Sequence, residues 1–319
     1  MDIVYVSNDK YVEHVAAAIH SAYAKNRDSV VNVFLISVGI SSGHMTQLGK
    51  ISQNYGQKLH VINFENILDK IGGGAQKERF DFSTFGRFFL GSLLPDVIER
   101  VIYLDADTIV NDSLRGIWDT YLGNNLIACA QEPTIYKETK KAVGLSEKEP
   151  YFNAGVMLID LNRWRRENVE EQLLTYYQAN VGKLKFCDQD AINAVLKGRI
   201  ATLNPRYNFF SNYYYFKYKT LVKNDPSYKS ISEMTFNAAK ANPAVIHFAG
   251  AERPWLAGCR NHYTRAYEEA LKETAWENAP KEKGRENYLF WYHLMNVSTG
   301  VFPPLRRFIS KTYGERLYQ

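Results

Sequence analysis

The sequence predicts an α/β protein with a mostly parallel central sheet and helices on both faces. Short continuous apolar runs, Asp2-Ile3-Val4-Tyr5-Val6, Val31 to Ile36, Leu59 to Phe64 and Val101-Ile102-Tyr103-Leu104, have the length and composition of strands buried on both sides. Between them lie segments whose apolar residues recur at spacings of three and four, as at Val12, Val15, Ala16, Ile19, Ala22 and Tyr23. Such alternation of strand and helix builds parallel sheets through crossover helices.

Taken in order, the first strand ends in Ser7-Asn8-Asp9, a turn-forming cluster that can also cap the helix from Tyr11 to Lys25. A helix over Met45 to Asn54 separates the second and third strands, Gly72-Gly73-Gly74 marks a break, and a helix near Arg87 to Leu94 precedes the fourth. Beyond Asp107 the pattern predicts strands at Leu126 to Ala130 and Gly155 to Ile159, then helices near Asn162 to Asn180 and at Gln189 to Leu196. The texture then changes. Tyr207 to Tyr218 places eight aromatics in twelve residues, the stretch to Pro243 reads as loops and insertions, and a last apolar strand, Ala244-Val245-Ile246, leads into His247. Residues 277–287 are polar with Pro and Gly and form the best linker candidate.

Composition sets the boundaries. A chain of 319 residues that is 45% hydrophobic and 23% charged is neither disordered nor fibrous, and is long enough for one large or two small domains. No segment reaches the ~18 apolar residues of a membrane span, and the first residues lack the basic and apolar regions of a signal peptide, so a cytoplasmic location is expected. Cys129, Cys187 and Cys259 are read as reduced thiols, giving neither a disulfide framework nor a zinc knuckle. Of the net charge of +5, residues 281–319 carry +4, from seven Lys/Arg against three Glu. The near-neutral body argues against nucleic acid as a partner.

In open α/β sheets ligands bind beyond the carboxyl ends of the strands. Asn8-Asp9, Asp105-Ala106-Asp107 and His247 occupy such positions. The two carboxylates of Asp105-Ala106-Asp107 leave an extended segment on one side and can grip one cation. Two carboxylates and an imidazole suit Mn²⁺ or Mg²⁺ better than zinc, although a merely solvated acidic strand end would read the same. After His247, Gly250 allows close approach of backbone to a ligand and Arg253 can fork onto phosphate oxygens.

The ordered set Asn8-Asp9-x-Tyr11, Arg87, Leu104-Asp105-Ala106-Asp107-Thr108, Tyr151-Phe152-Asn153-Ala154-Gly155-Val156, Asp188-Gln189-Asp190 and His247-Phe248-x-Gly250-x-x-Arg253-Pro254-Trp255 resembles the family 8 retaining glycosyltransferases. The resemblance spans Met1 to about Trp255. It implies a GT-A fold with a Rossmann-like nucleotide-sugar-binding domain, a UDP-sugar donor (UDP-galactose or UDP-glucose), a Mn²⁺ or Mg²⁺ ion, a saccharide acceptor, and transfer with retention. Asp105, Asp107 and His247 would be the metal ligands. Val6, Asn8, Tyr11, Arg87, Ala106, Asn153, Ala154, Asp188, Gln189, Gly250 and Arg253 would contact the donor, Asn8 against the uracil edge and Arg253 on the phosphates. Asp188 and Gln189 would be catalytic. The resemblance also implies a catalytic domain over residues 1–274, its nucleotide-sugar half about 1–110 and its acceptor half about 111–274, followed by a tail over 275–319.

Three matters stay open at this level. Retention calls for a group opposite the leaving group, and the motif offers the amide of Gln189, which can support a front-face route, or a covalent intermediate on an Asp. The aromatic run 207–218 suits either sugar stacking or packing. The tail, with Tyr288 to Met295 apolar and aromatic and Arg306-Arg307 basic, reads as a peripheral anchor on an anionic membrane, a helix pair packed on the catalytic domain, or a dimer contact. Two other functions compete. Asp105-x-Asp107 resembles the first motif of haloacid-dehalogenase phosphatases, but the later acidic pair, D-D or G-D-x-x-x-D, is absent from the sequence. An inert nucleotide-sugar-binding protein would have no need to keep Asp105, Asp107, His247, Asp188 and Gln189 together.

Overall fold

The computed structural model describes residues 1–72 and 81–299. Its strands are β1 (Asp2–Asn8), β2 (Asn32–Val38), β3 (Leu59–Asn63), β4 (Arg100–Leu104), β5 (Thr108–Val110), β6 (Ile127–Gln131), β7 (Phe152–Asp160), β8 (Ile200–Thr202), β9 (Phe209–Phe210) and β10 (Val245–His247). Seven form one sheet in the order β3-β2-β1-β4-β7-β6-β8, and the other three form a small sheet in the order β5-β10-β9.

Helices α1 (Val12–Ala24) and α2 (Ser42–Asn54) follow β1 and β2, and α3 (Ile67–Ile71) follows β3. Next come α4 (Leu90–Leu93), α5 (Arg115–Trp118) and α6 (Lys137–Ala142), with α7 (Leu161–Arg166), α8 (Val169–Ala179) and α9 (Cys187–Val195) between β7 and β8. Finally α10 (Tyr218–Asn224) and α11 (Glu233–Ala241) precede β10, and α12 (Thr264–Lys272) and α13 (Glu286–Thr299) follow it.

The period of two along each strand sorts its side chains between two layers. From β1, Val4 and Val6 join Phe85, Phe88, Trp164, Tyr177 and Ile192 on one face. Ile3 and Tyr5 join Val15, Ile19, Leu48 and Ile117 on the other. The expected α/β fold with a mostly parallel sheet is what the chain adopts. Parallel pairs join β1 to β2 and β4, β2 to β3, and β6 to β8. One strand departs from this, because β7 runs antiparallel to both β4 and β6. A continuous apolar run reads the same in either direction, so its pattern carries no sign of the reversal.

Other expectations need correction. The helix expected over 162–180 is two helices, broken at Asn168, whose φ of 54° lies in the left-handed region that Asn tolerates. The segment around Arg87 is a 3₁₀ stretch, Phe82–Phe89, before the short α4. The region from Tyr207 to Pro243, expected as loops, holds α10 and α11, and Phe209, Tyr213, Phe216, Tyr228 and Phe236 form a core of their own. Packing therefore accounts for the inward part of the aromatic run. The linker candidate is pinned: the Glu282 N–H donates to Trp255 O at 2.9 Å and the Ala257 N–H to Glu282 O at 2.8 Å. Residues 73 and 74 of the glycine triplet, and the tail beyond 299, lie outside the described residues. Cys129 and Cys187 are buried and Cys259 half-buried, and none of the three is in a disulfide. No helix among the described residues is long and apolar enough to cross a membrane.

The 20 residues between β6 and β7 are stapled by a buried ion pair. Lys140 Nζ lies 2.7 Å from Asp225 Oδ2 and donates to Glu149 O at 2.7 Å, with both side chains almost fully buried. Removing one partner of such a pair strands a charge in a low dielectric, whereas replacing both with apolar residues of similar volume removes the penalty. Asp225→Ala should therefore cost about 3–5 kcal/mol of stability in chemical denaturation, and adding Lys140→Met should return most of it; a double variant no more stable than the single one would contradict this account.

Candidate active site

The first requirement of the site is to bring residue 247 to residue 107. β4 ends at Leu104, and a tight turn follows in which Thr108 donates to Asp105 O through both its N–H (3.2 Å) and its Oγ1 (2.7 Å). The chain then leaves the main sheet as β5, which pairs antiparallel with β10 in the register Thr108 to His247. The Phe248 N–H closes the pairing on Asp107 O at 3.0 Å. His247 Nε2 thereby lies 3.1 Å from Asp107 Oδ1 and 3.8 Å from Asp105 Oδ2. One ligand atom from each of the three residues falls within 4.8 Å of the others.

The donor chemistry of this cluster fits a divalent cation. His247 Nδ1 lies 2.8 Å from Asn208 Oδ1. Asn208 Nδ2 donates to Asn153 Oδ1 at 2.7 Å, and the Gly155 N–H donates to that same oxygen at 2.9 Å. Because a backbone N–H can only donate, the orientation of Asn153 is fixed, Asn208 Oδ1 is the acceptor, and Nδ1 of His247 carries the proton. When the ring is neutral, the lone pair of Nε2 faces two carboxylates, the arrangement expected of a metal-binding imidazole held by an outer partner. Gly155 makes room for it: a Cβ there would lie 2.3 Å from His247 Cε1 and 2.7 Å from Asp105 Oδ2. Burial opposes both charges, yet the attraction between them prevails, raising the His247 pKa and lowering that of Asp107.

Arg87 ties this cluster to the next. Its Nη2 donates to Asp105 Oδ1 at 2.8 Å, its Nη1 to Ala154 O at 2.8 Å and its Nε to Thr84 O at 3.0 Å. Asp188 Oδ2 lies 2.9 Å from Nε but accepts no hydrogen bond, so that contact is ionic. Burial works against the charge of Arg87, and Asp105 and Asp188 outweigh it. Burial also raises the Asp188 carboxyl, with Arg87 opposing. Tyr103 Oη donates to the same Asp105 oxygen at 2.7 Å.

Gln189 is held at both ends of its amide. Its Oε1 accepts from Asn153 Nδ2 at 2.7 Å and from the Ala154 N–H at 3.1 Å, and its Nε2 donates to Glu132 Oε2 at 3.0 Å. Glu132 is buried just past the end of β6, its carboxyl raised by burial, and it also accepts from Asn153 Nδ2. Asp190 faces elsewhere, accepting from Tyr151 Oη and from the Phe186 N–H at the start of α9.

The nucleotide-side residues are more committed internally than expected. Asn8 Oδ1 caps the following turn by accepting from the Lys10 and Tyr11 N–H groups, and its Nδ2 donates to Asp81 Oδ2 at 2.7 Å. That leaves one N–H for a ligand. The Val6 side chain is buried where a Cβ on Gly86 would come within 2.6 Å of its Cγ1, so its backbone is what it can offer. Tyr11 Oη accepts from Arg253 Nη1 at 2.9 Å, while Arg253 Nε donates to Gly250 O at 3.2 Å. Gly250 is required by Asn212, whose Nδ2 would lie 2.1 Å from a Cβ. Ala106 sits half-buried between the two aspartates.

Thus Asp105, Asp107, His247, Arg87, Ala154, Asn153, Asp188 and Gln189 are linked by direct contacts. Asn208, Glu132, Tyr103 and Asp81 were missed by the sequence reading. For Glu132 a signal existed, a charged residue just past an apolar strand; the others carry no motif.

Comparisons with known proteins bear on the fold and the family. The glycosyl transferase family 8 model matches residues 2–259. General stress protein A of Bacillus subtilis is 25% identical over 280 residues, 86% of this chain and 94% of that protein. The lipopolysaccharide 1,2-glucosyltransferase of Escherichia coli is 25% identical over 326 residues, 98% of this chain and 92% of the relative. Among solved structures, the galactosyltransferase LgtC in complex with donor and acceptor sugar analogues superposes with a TM-score of 0.74 at 25% identity, covering 86% of this chain and 96% of LgtC. A sheet that carries Asp105, Asp107 and His247 into one cluster, and a family match over most of the chain, lead to one conclusion: this protein is a glycosyltransferase of family 8 with the GT-A fold.

Proposed function

We propose that the chain transfers a hexose, galactose or glucose, from a UDP-sugar to a saccharide acceptor on a glycoconjugate such as lipopolysaccharide, a surface polymer or a glycoprotein, forming an α-glycosidic bond with retention. The observation that carries the reading is the Asp105, Asp107 and His247 cluster with the Nε2 lone pair of His247 turned inward. Asp105, Asp107 and His247 would hold Mn²⁺ or Mg²⁺. Such an ion supplies charge neutralisation at the donor diphosphate.

Each other group then has a defined task. Arg253, orientated by Tyr11 and Gly250, presents a fixed positive charge to the departing phosphate oxygens. Arg87 favours the ionised form of Asp188 against its burial and holds it in place beside the donor sugar. Gln189 stabilises positive charge developing at the anomeric carbon through the dipole of its amide. Its Oε1 already accepts two hydrogen bonds, which supports a front-face route over attack by this oxygen. Exchange of the Arg87 contact would be needed before Asp188 could act as a nucleophile.

The same reading places the enzyme at a surface. Phe290, Trp291, Leu294 and Val297 of α13 are exposed, Arg260 lies over the Phe290 ring at 5.5 Å, and the basic Arg306, Arg307, Lys311 and Arg316 follow outside the described residues. Aromatic residues favour the bilayer interface and each basic residue near an anionic surface contributes about 1 kcal/mol. This supports peripheral binding to an anionic membrane on the cytoplasmic side.

Three outcomes are expected. Asp105→Asn and Asp107→Asn should each abolish Mn²⁺-dependent release of UDP from UDP-galactose or UDP-glucose in the presence of acceptor, because each removes a charged ligand; full activity of either at saturating donor and Mn²⁺ would remove the metal assignment. Gln189→Ala should lower kcat by about 10²–10³-fold with a smaller change in KM, in the range seen when one preorganised electrostatic contact to a transition state is lost; a change confined to KM would reduce Gln189 to a ground-state contact. In co-sedimentation with anionic vesicles, the Phe290→Ser, Trp291→Ser double variant should bind less than the intact chain, and raising salt should weaken both. Negligible sedimentation of the intact chain at low salt would end the membrane proposal.

A further inference from the structure

The phosphate-facing loop between β10 and α12 contains a charged side chain with no exposure at all. Glu252 sits between Gly250 and Arg253 and is 0% exposed. Both of its oxygens are taken by α13: Oε1 lies 2.7 Å from His293 Nδ1, and Oε2 accepts from Asn296 Nδ2 at 2.7 Å. The same helix holds the neighbouring segment, because Tyr292 Oη accepts from Asn212 Nδ2 at 3.1 Å, and Asn212 is the side chain against which Gly250 packs. Upstream, Glu282 bridges to Leu256, and Leu289 is buried with Ile246, Phe248, Trp255 and Leu256. A segment beyond the family match at residues 2–259 therefore grips the loop directly through His293, Asn296, Glu282 and Leu289, and through Tyr292 by way of Asn212.

Burying a carboxylate this completely is costly, and the cost is offset only where its oxygens are fully hydrogen-bonded in a fixed geometry. A surface ornament would leave such a residue solvated. We infer that Glu252, His293 and Asn296 form a latch by which α13 positions the Gly250 to Arg253 loop for the donor diphosphate, so that the C-terminal helix is part of the donor site. Glu252 acts here as a positioning residue, working through Gly250 and Arg253. The inference rests on the donor reading given above and adds to it residues that touch no substrate.

The test compares full-length variants by calorimetric titration with UDP in Mn²⁺, by donor KM and kcat, and by amide hydrogen exchange over residues 249–256. Asn296→Asp sets a second carboxylate against Glu252 Oε2. It should weaken UDP binding and raise donor KM by about tenfold, change kcat by less than about threefold, and speed exchange in the loop. Glu252→Ala should do the same. Glu252→Gln, which keeps an oxygen for Asn296 and turns its amide N–H groups to the His293 ring, should stay within about threefold of the parent. Should either of the harsher variants fail to fold, His293→Ala removes a single partner at the edge of the contact and should show the same pattern at smaller size. UDP affinity within twofold of the parent in Asn296→Asp and Glu252→Ala, or in His293→Ala, would overturn the inference, whether or not exchange is faster. Absence of UDP binding by the parent protein itself would instead overturn the donor reading on which it rests.

Discussion

A buried guanidinium at the junction of two carboxylates holds this site in one piece. Asp105 belongs to the Asp-Asp-His cluster and Asp188 to the neighbouring Gln189 side, and with Asp107 they bring three acidic groups into a region with little access to water. Left alone, such groups repel one another and take up protons. Arg87 answers Asp105 with a hydrogen bond and Asp188 with an ionic contact, while two further N–H groups donate to the Ala154 and Thr84 carbonyls. Each of its three nitrogens has a partner, so the guanidinium is fixed in place by the groups it joins. The requirement propagates outward: Arg87 reaches the site because Gly86 allows the 3₁₀ stretch to lie against Val6 of β1.

A directional chain of amides supplies the second constraint. From the Gly155 and Ala154 N–H groups, which can only donate, the orientations of Asn153 and Gln189 follow, then those of Asn208 and the His247 ring. Glu132 closes the chain by accepting from both Asn153 and Gln189. The Gln189 end and the His247 end of the site are thus joined through Asn153. Networks of this kind specify a single arrangement only when every member is satisfied.

The parts of this architecture that were legible in the sequence share a physical signature. Buried strands read as apolar runs, and polar residues just beyond them, at 105, 107 and 247, stood out against that background. Motif order then gave Arg87, Asn153, Asp188 and Gln189. What could not be read lacked any such contrast. β7 has an apolar run that does not reveal its direction. Asn208 lies in an aromatic stretch whose pattern says nothing about a histidine 39 residues away, and Asp81 is joined to Asn8 only by the fold. Glu252 occupied a variable place inside a recognised motif, and its meaning appears only once α13 supplies the partners. Asn8 shows the opposite limit: its amide suits a uracil edge in isolation, but capping the next turn uses its oxygen first.

The account depends on the cation cluster serving a nucleoside diphosphate. Calorimetric titration of the intact protein with UDP, with Mn²⁺ and again with the metal chelated, asks this most directly. Saturable binding with Mn²⁺ that collapses on chelation is the predicted result, whereas equal binding in both conditions, or none in either, would contradict it.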